Sequence, residues 1–181
     1  MDVLNIHLTY FTFMSDFEKL SKNIDVISCN KKDFEKLCKD FENLPQPELD
    51  KHLASYYKDL LEPLATIYND REKPKFTLAT SAMVAASIDG QFTMGEFRQI
   101  SSLLEICTGR TLNYDEAKQM VEDATSNEGS ARGFVEKTYD MLRNMNEECG
   151  AKYIMFLTGI ICADGDASRS ERKWIHGLLK K

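Results

Sequence analysis

Two stretches of the chain set carboxylates at the same distances from a glycine. Ala86-Ser87-Ile88-Asp89-Gly90-Gln91-Phe92-Thr93-Met94-Gly95-Glu96 aligns with Ile161-Cys162-Ala163-Asp164-Gly165-Asp166-Ala167-Ser168-Arg169-Ser170-Glu171, and both read Asp-Gly-x-x-(Ser/Thr)-x-x-Glu. Carboxylate oxygens that converge on one point suit a hard divalent cation of the calcium or magnesium type. Asp89, Glu96, Asp164, Asp166 and Glu171 are therefore the candidate metal ligands. If the two units pack about a pseudo-twofold axis, their carboxylates converge; if they lie apart, each loop offers too few side-chain oxygens for tight binding.

The same residues also have an architectural reading. Gly90 and Gly165 sit where a helix would end in a left-handed residue, which glycine adopts without steric cost. Thr93 and Ser168 read as N-caps, with Glu96 and Glu171 three residues later to complete a capping box. Asp89 and Asp164 are left over. A carboxylate at a helix C-terminus is disfavoured by roughly 0.3–1 kcal/mol. Asx-type hydrogen bonds in the turn, a cation or a basic partner residue would offset that cost.

The separation of Gly and Glu matches that of the EF-hand loop, but the ligand pattern does not. Its first and third ligand positions fall on Ala85 and Ser87 in one copy, and on Ile160 and Cys162 in the other. Other chemistry has little support. His7, His52 and His176 follow no metal-ligand spacing, and Gly129-Ser130-Ala131-Arg132-Gly133 lacks the lysine of a phosphate-binding loop. Nothing adjacent in sequence activates any cysteine as a nucleophile. The expectation is a protein without catalytic activity.

These loops need helices to hold them, and the pattern of apolar residues is helical almost everywhere. Phe34, Leu37, Cys38 and Phe41 mark one helix face, with Asn30 as its N-cap. Two prolines break the chain at Leu44-Pro45-Gln46-Pro47. Leu49, Leu53, Tyr56, Tyr57, Leu60, Leu61 and Leu64 mark the next helix, which is expected to kink or break at Pro63. A connector, Asn69-Asp70-Arg71-Glu72-Lys73-Pro74, follows. Beyond it the spacing predicts helices over residues 76–89, 94–108, 114–126, 130–146, 148–163 and 169–180, with Asn113 and Glu116 starting the third. Ile100, Leu103 and Leu104 after the first loop correspond to Ile175, Leu178 and Leu179 after the second. The only β-like run, Ile6 to Phe13, fits a helix equally well. The expected fold is all-α: a compact multi-helix domain over residues 75–181, built on two pseudo-repeated helix–loop–helix units, with an N-terminal helical extension over 1–74.

Composition sets the context. The 23 basic and 29 acidic residues leave a net charge of -6, which disfavours phosphate surfaces and argues against a nucleic-acid partner. The N-terminus lacks the basic start of a signal peptide, and the longest apolar run, Tyr153 to Ala163, is well short of the roughly 20 residues that cross a bilayer. Five cysteines without a Cys-x-x-Cys suit small core residues in a reduced, cytoplasmic setting. The basic side chains of the last helix, Arg169, Arg172, Lys173, His176, Lys180 and Lys181, read as a solvated face in preference to a docking surface for an acidic partner.

Taken with the apolar helix before each loop and the Ile-x-x-Leu-Leu helix after it, the paired Asp-Gly-x5-Glu loops resemble the tellurite-resistance protein B (TerB-like) family. The resemblance covers about residues 76–181. It implies an all-helical domain in stress response or in the assembly of protein complexes, with a protein partner and no enzymatic activity. It also implies a cation site at Asp89, Glu96, Asp164 and Glu171. Asp166 is extra in the second loop, where the first has Gln91. The acidic loops and net negative charge oppose direct binding of an oxyanion such as tellurite, so a stress role would be indirect. The alternative is an adaptor whose loops are caps and bind no metal.

Overall fold

A computed structural model describes residues 31–88, 92–126 and 131–179. Asp89, Gly90, Gln91, Gly129, Ser130, Lys180, Lys181 and everything before Lys31, including His7, Cys29, the Asn30 cap and the run from Ile6 to Phe13, lie outside the described residues. Among the described residues there are eight helices and no strand. They are α1 (Lys31–Glu42), α2 (Gln46–Tyr68), α3 (Lys73–Ala86), α4 (Met94–Thr108), α5 (Tyr114–Ser126), α6 (Ala131–Asn144), α7 (Glu147–Ile161) and α8 (Arg169–Leu178). None is long and apolar enough to cross a membrane.

Two of these helices are central, as their sequences require. Every residue of α7 from Tyr153 to Ile161 is buried, and so is every residue of α3 from Ser81 to Ala86. A helix that is apolar on all sides must be surrounded. Accordingly α7 packs against α1, α2, α3 and α8, while α3 packs against α2, α4, α5 and α7. The outer helices bury a single stripe. In α1 the stripe is Phe34, Leu37, Cys38 and Phe41, as its spacing predicts, and in α2 it is Leu49, Leu53, Tyr57, Leu60 and Leu64. Both stripes join one continuous core with the residues of α3 to α8. Gly159 permits this closeness. A Cβ there would stand 2.9 Å from Leu53 Cδ2 and 3.2 Å from Phe41 Cε1.

Two prolines behave differently from expectation. α2 continues through Pro63 without a break. Proline removes one backbone hydrogen bond, but five buried side chains along the same stripe hold both halves of the helix on the core. Further on, Lys73-Pro74 is the first turn of α3 and no longer part of the connector, because a proline fits where the helix has no N–H partner to lose. Asp70 starts that turn: its Oδ1 accepts the N–H of Glu72 at 2.8 Å and of Lys73 at 3.2 Å. These bonds hold the Asp70 carboxyl below its ordinary range.

Candidate functional site

The second loop joins the buried end of α7 to α8. Here α7 ends at Ile161, with Cys162 as its C-cap. Gly165 does have a left-handed backbone (φ 85°), but it lies in a turn beyond the helix, where its N–H donates to the Cys162 carbonyl at 3.0 Å. The expected helix-ending glycine is therefore a turn glycine, because α7 stops two residues earlier than the spacing suggests. Asp164 thus lies in the turn, two residues past the C-cap. Its Oδ1 accepts the N–H of Asp166 at 3.0 Å, the Asx-type bond that was one of the open possibilities.

Ser168 then caps α8. Its hydroxyl accepts the Glu171 N–H at 3.2 Å, and Glu171 Oε2 accepts the Ser168 N–H at 2.5 Å, a complete capping box. In the first loop the same box forms between Thr93 and Glu96, with the Glu96 N–H donating to Thr93 Oγ1 at 3.2 Å and the Thr93 N–H to Glu96 Oε2. Asn113 and Glu116 cap α5 in the same manner, at 2.9 and 3.0 Å. Arg110 adds an ion pair to Glu116 at 2.9 Å, and together these bonds lower the Glu116 carboxyl below its ordinary range.

One residue of this site was not legible in the sequence. Glu42, the last residue of α1, reaches the second loop: its Oε1 accepts the Ala167 N–H at 3.1 Å and pairs with the Arg172 guanidinium. Arg172 Nε in turn donates to the Ala167 carbonyl at 2.9 Å. The pair is largely enclosed, with 13% of the Glu42 side chain and 25% of the Arg172 side chain exposed. Arg172 thus departs from the solvated face expected of the last helix. A partner so far away in sequence leaves no local pattern, so only the fold could reveal it. His176 also turns inward, its ring 5.7 Å from that of Phe34.

Of the five candidate metal ligands, Glu96 and Glu171 serve as capping carboxylates and Asp164 as a turn acceptor, while Asp166 is exposed on the loop. Asp89 lies outside the described residues. Among the described residues, no three His, Cys, Asp or Glu side chains are grouped to hold a metal ion, so the loops do not bring Glu96, Asp164, Asp166 and Glu171 together.

Among the described residues the thiols give no sign of activation. Cys38, Cys107, Cys149 and Cys162 are free and buried. Burial pushes the Cys107 thiol up to about 12, and Cys162 is raised by its hydrogen bond to Cys38 and by burial. Raised thiols oppose formation of the reactive thiolate.

The family model described as "Tellurite resistance protein TerB" matches residues 76–179, from within α3 to just past α8. No curated protein and no solved structure matches the chain.

Proposed function

The chain belongs to the tellurite resistance protein TerB family, and from that premise we propose that it acts in the cytoplasm as a non-catalytic, tellurite-resistance-type stress protein that works through a protein partner. The observation that carries this reading is the family match, which takes in both loops. Two features support its non-catalytic part. Glu96, Asp164 and Glu171 hold backbone N–H groups at helix starts and in a turn, and the described thiols are buried. A net charge of -6 supports an indirect role toward tellurite, since an acidic surface repels an oxyanion. The test is growth under tellurite with and without the gene. The expected result is greater sensitivity on deletion, restored by the intact chain and not by a variant that fails to fold. Equal growth at every tellurite concentration would overturn the reading.

A divalent cation at the second loop is a second reading, favoured by the exposed carboxylates of Asp164 and Asp166 two residues apart. Calorimetric titration of the metal-stripped chain with calcium, magnesium, manganese and zinc tests it, beside Asp89→Asn/Asp164→Asn. Saturable heat that disappears in the double variant would support the ion. Absence of heat with every ion, from folded protein, would leave the loops as architecture.

A further inference from the structure

Two thiols far apart in the chain meet where α1 packs on the end of α7. Cys38 belongs to the buried stripe of α1, and Cys162 is the C-cap of α7. They share a side-chain hydrogen bond, and both are closed off from solvent, at 0% and 1% exposure. The two helices come close here. About one turn beyond Cys38, the Phe41 ring stands 3.2 Å from where a Cβ on Gly159 would lie, and Gly159 is about one turn before Cys162. Two thiols in contact on closely packed helices need a small shift of the chain, and no new fold, to reach the geometry of a disulfide.

The same place is shut by charge. Glu42, about one turn after Cys38, holds the Ala167 N–H and the Arg172 guanidinium of the second loop and α8. Both charges act on the Cys162 thiol, while its hydrogen bond to Cys38, together with burial, keeps it protonated. A protonated and enclosed thiol reacts poorly, so the pair is inert as long as this closure holds. The closure lies at a helix end and on a loop, which are the parts of a fold that open most readily by local fluctuation.

We propose that Cys38 and Cys162 form a disulfide site, oxidised by a hydroperoxide when the Glu42–Arg172 pair opens. The chemistry takes two steps. One thiol attacks the peroxide and breaks its O–O bond; the sulfur becomes a sulfenic acid, and the peroxide leaves as water, or as an alcohol if it is organic. The second thiol, already beside it, attacks the sulfenic sulfur; the S–S bond forms, the S–O bond breaks and a water leaves. The two thiols have given up two electrons and the peroxide has taken them. Proximity selects this pair, because reaction between groups held in contact outruns an encounter with a free thiol. The disulfide ties α1 to the start of the second loop until a thiol reductant restores the dithiol. Neither the family match nor the loop carboxylates enter this inference.

The test treats the folded full chain with hydrogen peroxide, blocks the remaining thiols and maps linkages by mass spectrometry of an unreduced tryptic digest. The expected result is one dominant linked pair of peptides, holding Cys38 and Cys162, which dithiothreitol separates. Glu42→Ala should speed its formation about tenfold, the effect of releasing a charged hydrogen bond. Leu103→Ala, on α4, which packs chiefly on α2, α3 and α5, should leave the rate unchanged. Melting curves establish that each variant is folded, and the linkage map of the intact chain decides even where a variant is not. A dominant linkage that involves another cysteine, irreversible oxidation of these two without a linkage, or no reaction at either would overturn the proposal. So would equal rates in the intact chain and Glu42→Ala, or an equal acceleration by Leu103→Ala.

Discussion

Glu42 joins the end of α1 to a loop 125 residues further along the chain. Its carboxylate holds one backbone N–H and one guanidinium, so Glu42→Ala leaves the Ala167 N–H and a mostly enclosed Arg172 without their acceptor. The expected loss is about 1–3 kcal/mol in urea unfolding. Glu72→Ala, which breaks an exposed pair with Lys75, should change stability by less than about 0.5 kcal/mol. Buried hydroxyl and thiol groups govern the alkaline side. Burial raises Tyr57 from 10.0 and Cys107 from 9.0, each to about 12, and the Tyr57 hydroxyl donates to the Cys107 carbonyl at 3.4 Å. Raised values favour the protonated, folded form. Their contribution is complete below the unfolded values and falls as pH rises from about 9 toward 12. Urea midpoints between pH 8 and 11 should therefore decline, and less steeply in Tyr57→Phe.

Among the elements, α7 is the one whose substitutions should be least tolerated. At Gly159 the closest neighbours of an added Cβ are Leu53 and Phe41, on two different helices. Gly159→Ala gains about 1 kcal/mol of helix propensity but overpacks the contact by about 1–3 kcal/mol. A net loss is expected, and Gly159→Val should lose more, since branching adds volume where there is none to give. Thermal unfolding of the two variants measures the order; equal melting temperatures would show that α1 and α2 can yield. The same contact explains how α2 tolerates Pro63. Its stripe of leucines and Tyr57 is anchored on the core, so one missing hydrogen bond does not end the helix.

At the scale of the whole molecule, the family match begins at residue 76, while the core of the described residues already includes Phe34. The stripes of α1 and α2 cover α7, and Glu42 closes the second loop. A fragment starting at residue 75 would expose the faces of α7 and α3 on which α2 packs. It is expected to lose cooperative unfolding and to bind a hydrophobic dye, as monitored by near-ultraviolet circular dichroism and dye fluorescence. A sharp, native-like transition in that fragment would show that residues 76–179 carry a sufficient core alone.

Local chemistry was open to reading from sequence because its signals are local. Three-residue spacing announced the boxes of Thr93 with Glu96 and Ser168 with Glu171, and periodicity announced the stripes of α1 and α2. An all-α fold follows from those patterns, and the paired loops carried the family resemblance. The end of α7 and the continuity of α2 departed from expectation, because packing on the core outweighs what a glycine or proline prefers alone, while the first turn of α3 did so because Pro74 suits a helix start as well as a connector. Three further features belong to the tertiary structure only: the reach of Glu42 to Arg172, the lack of a metal-holding group among the described loop carboxylates, and the cavity between α2, α3, α6 and α7. Each depends on where helices distant in sequence meet. That placement is decided by how their buried faces fit together, which no short stretch of residues records.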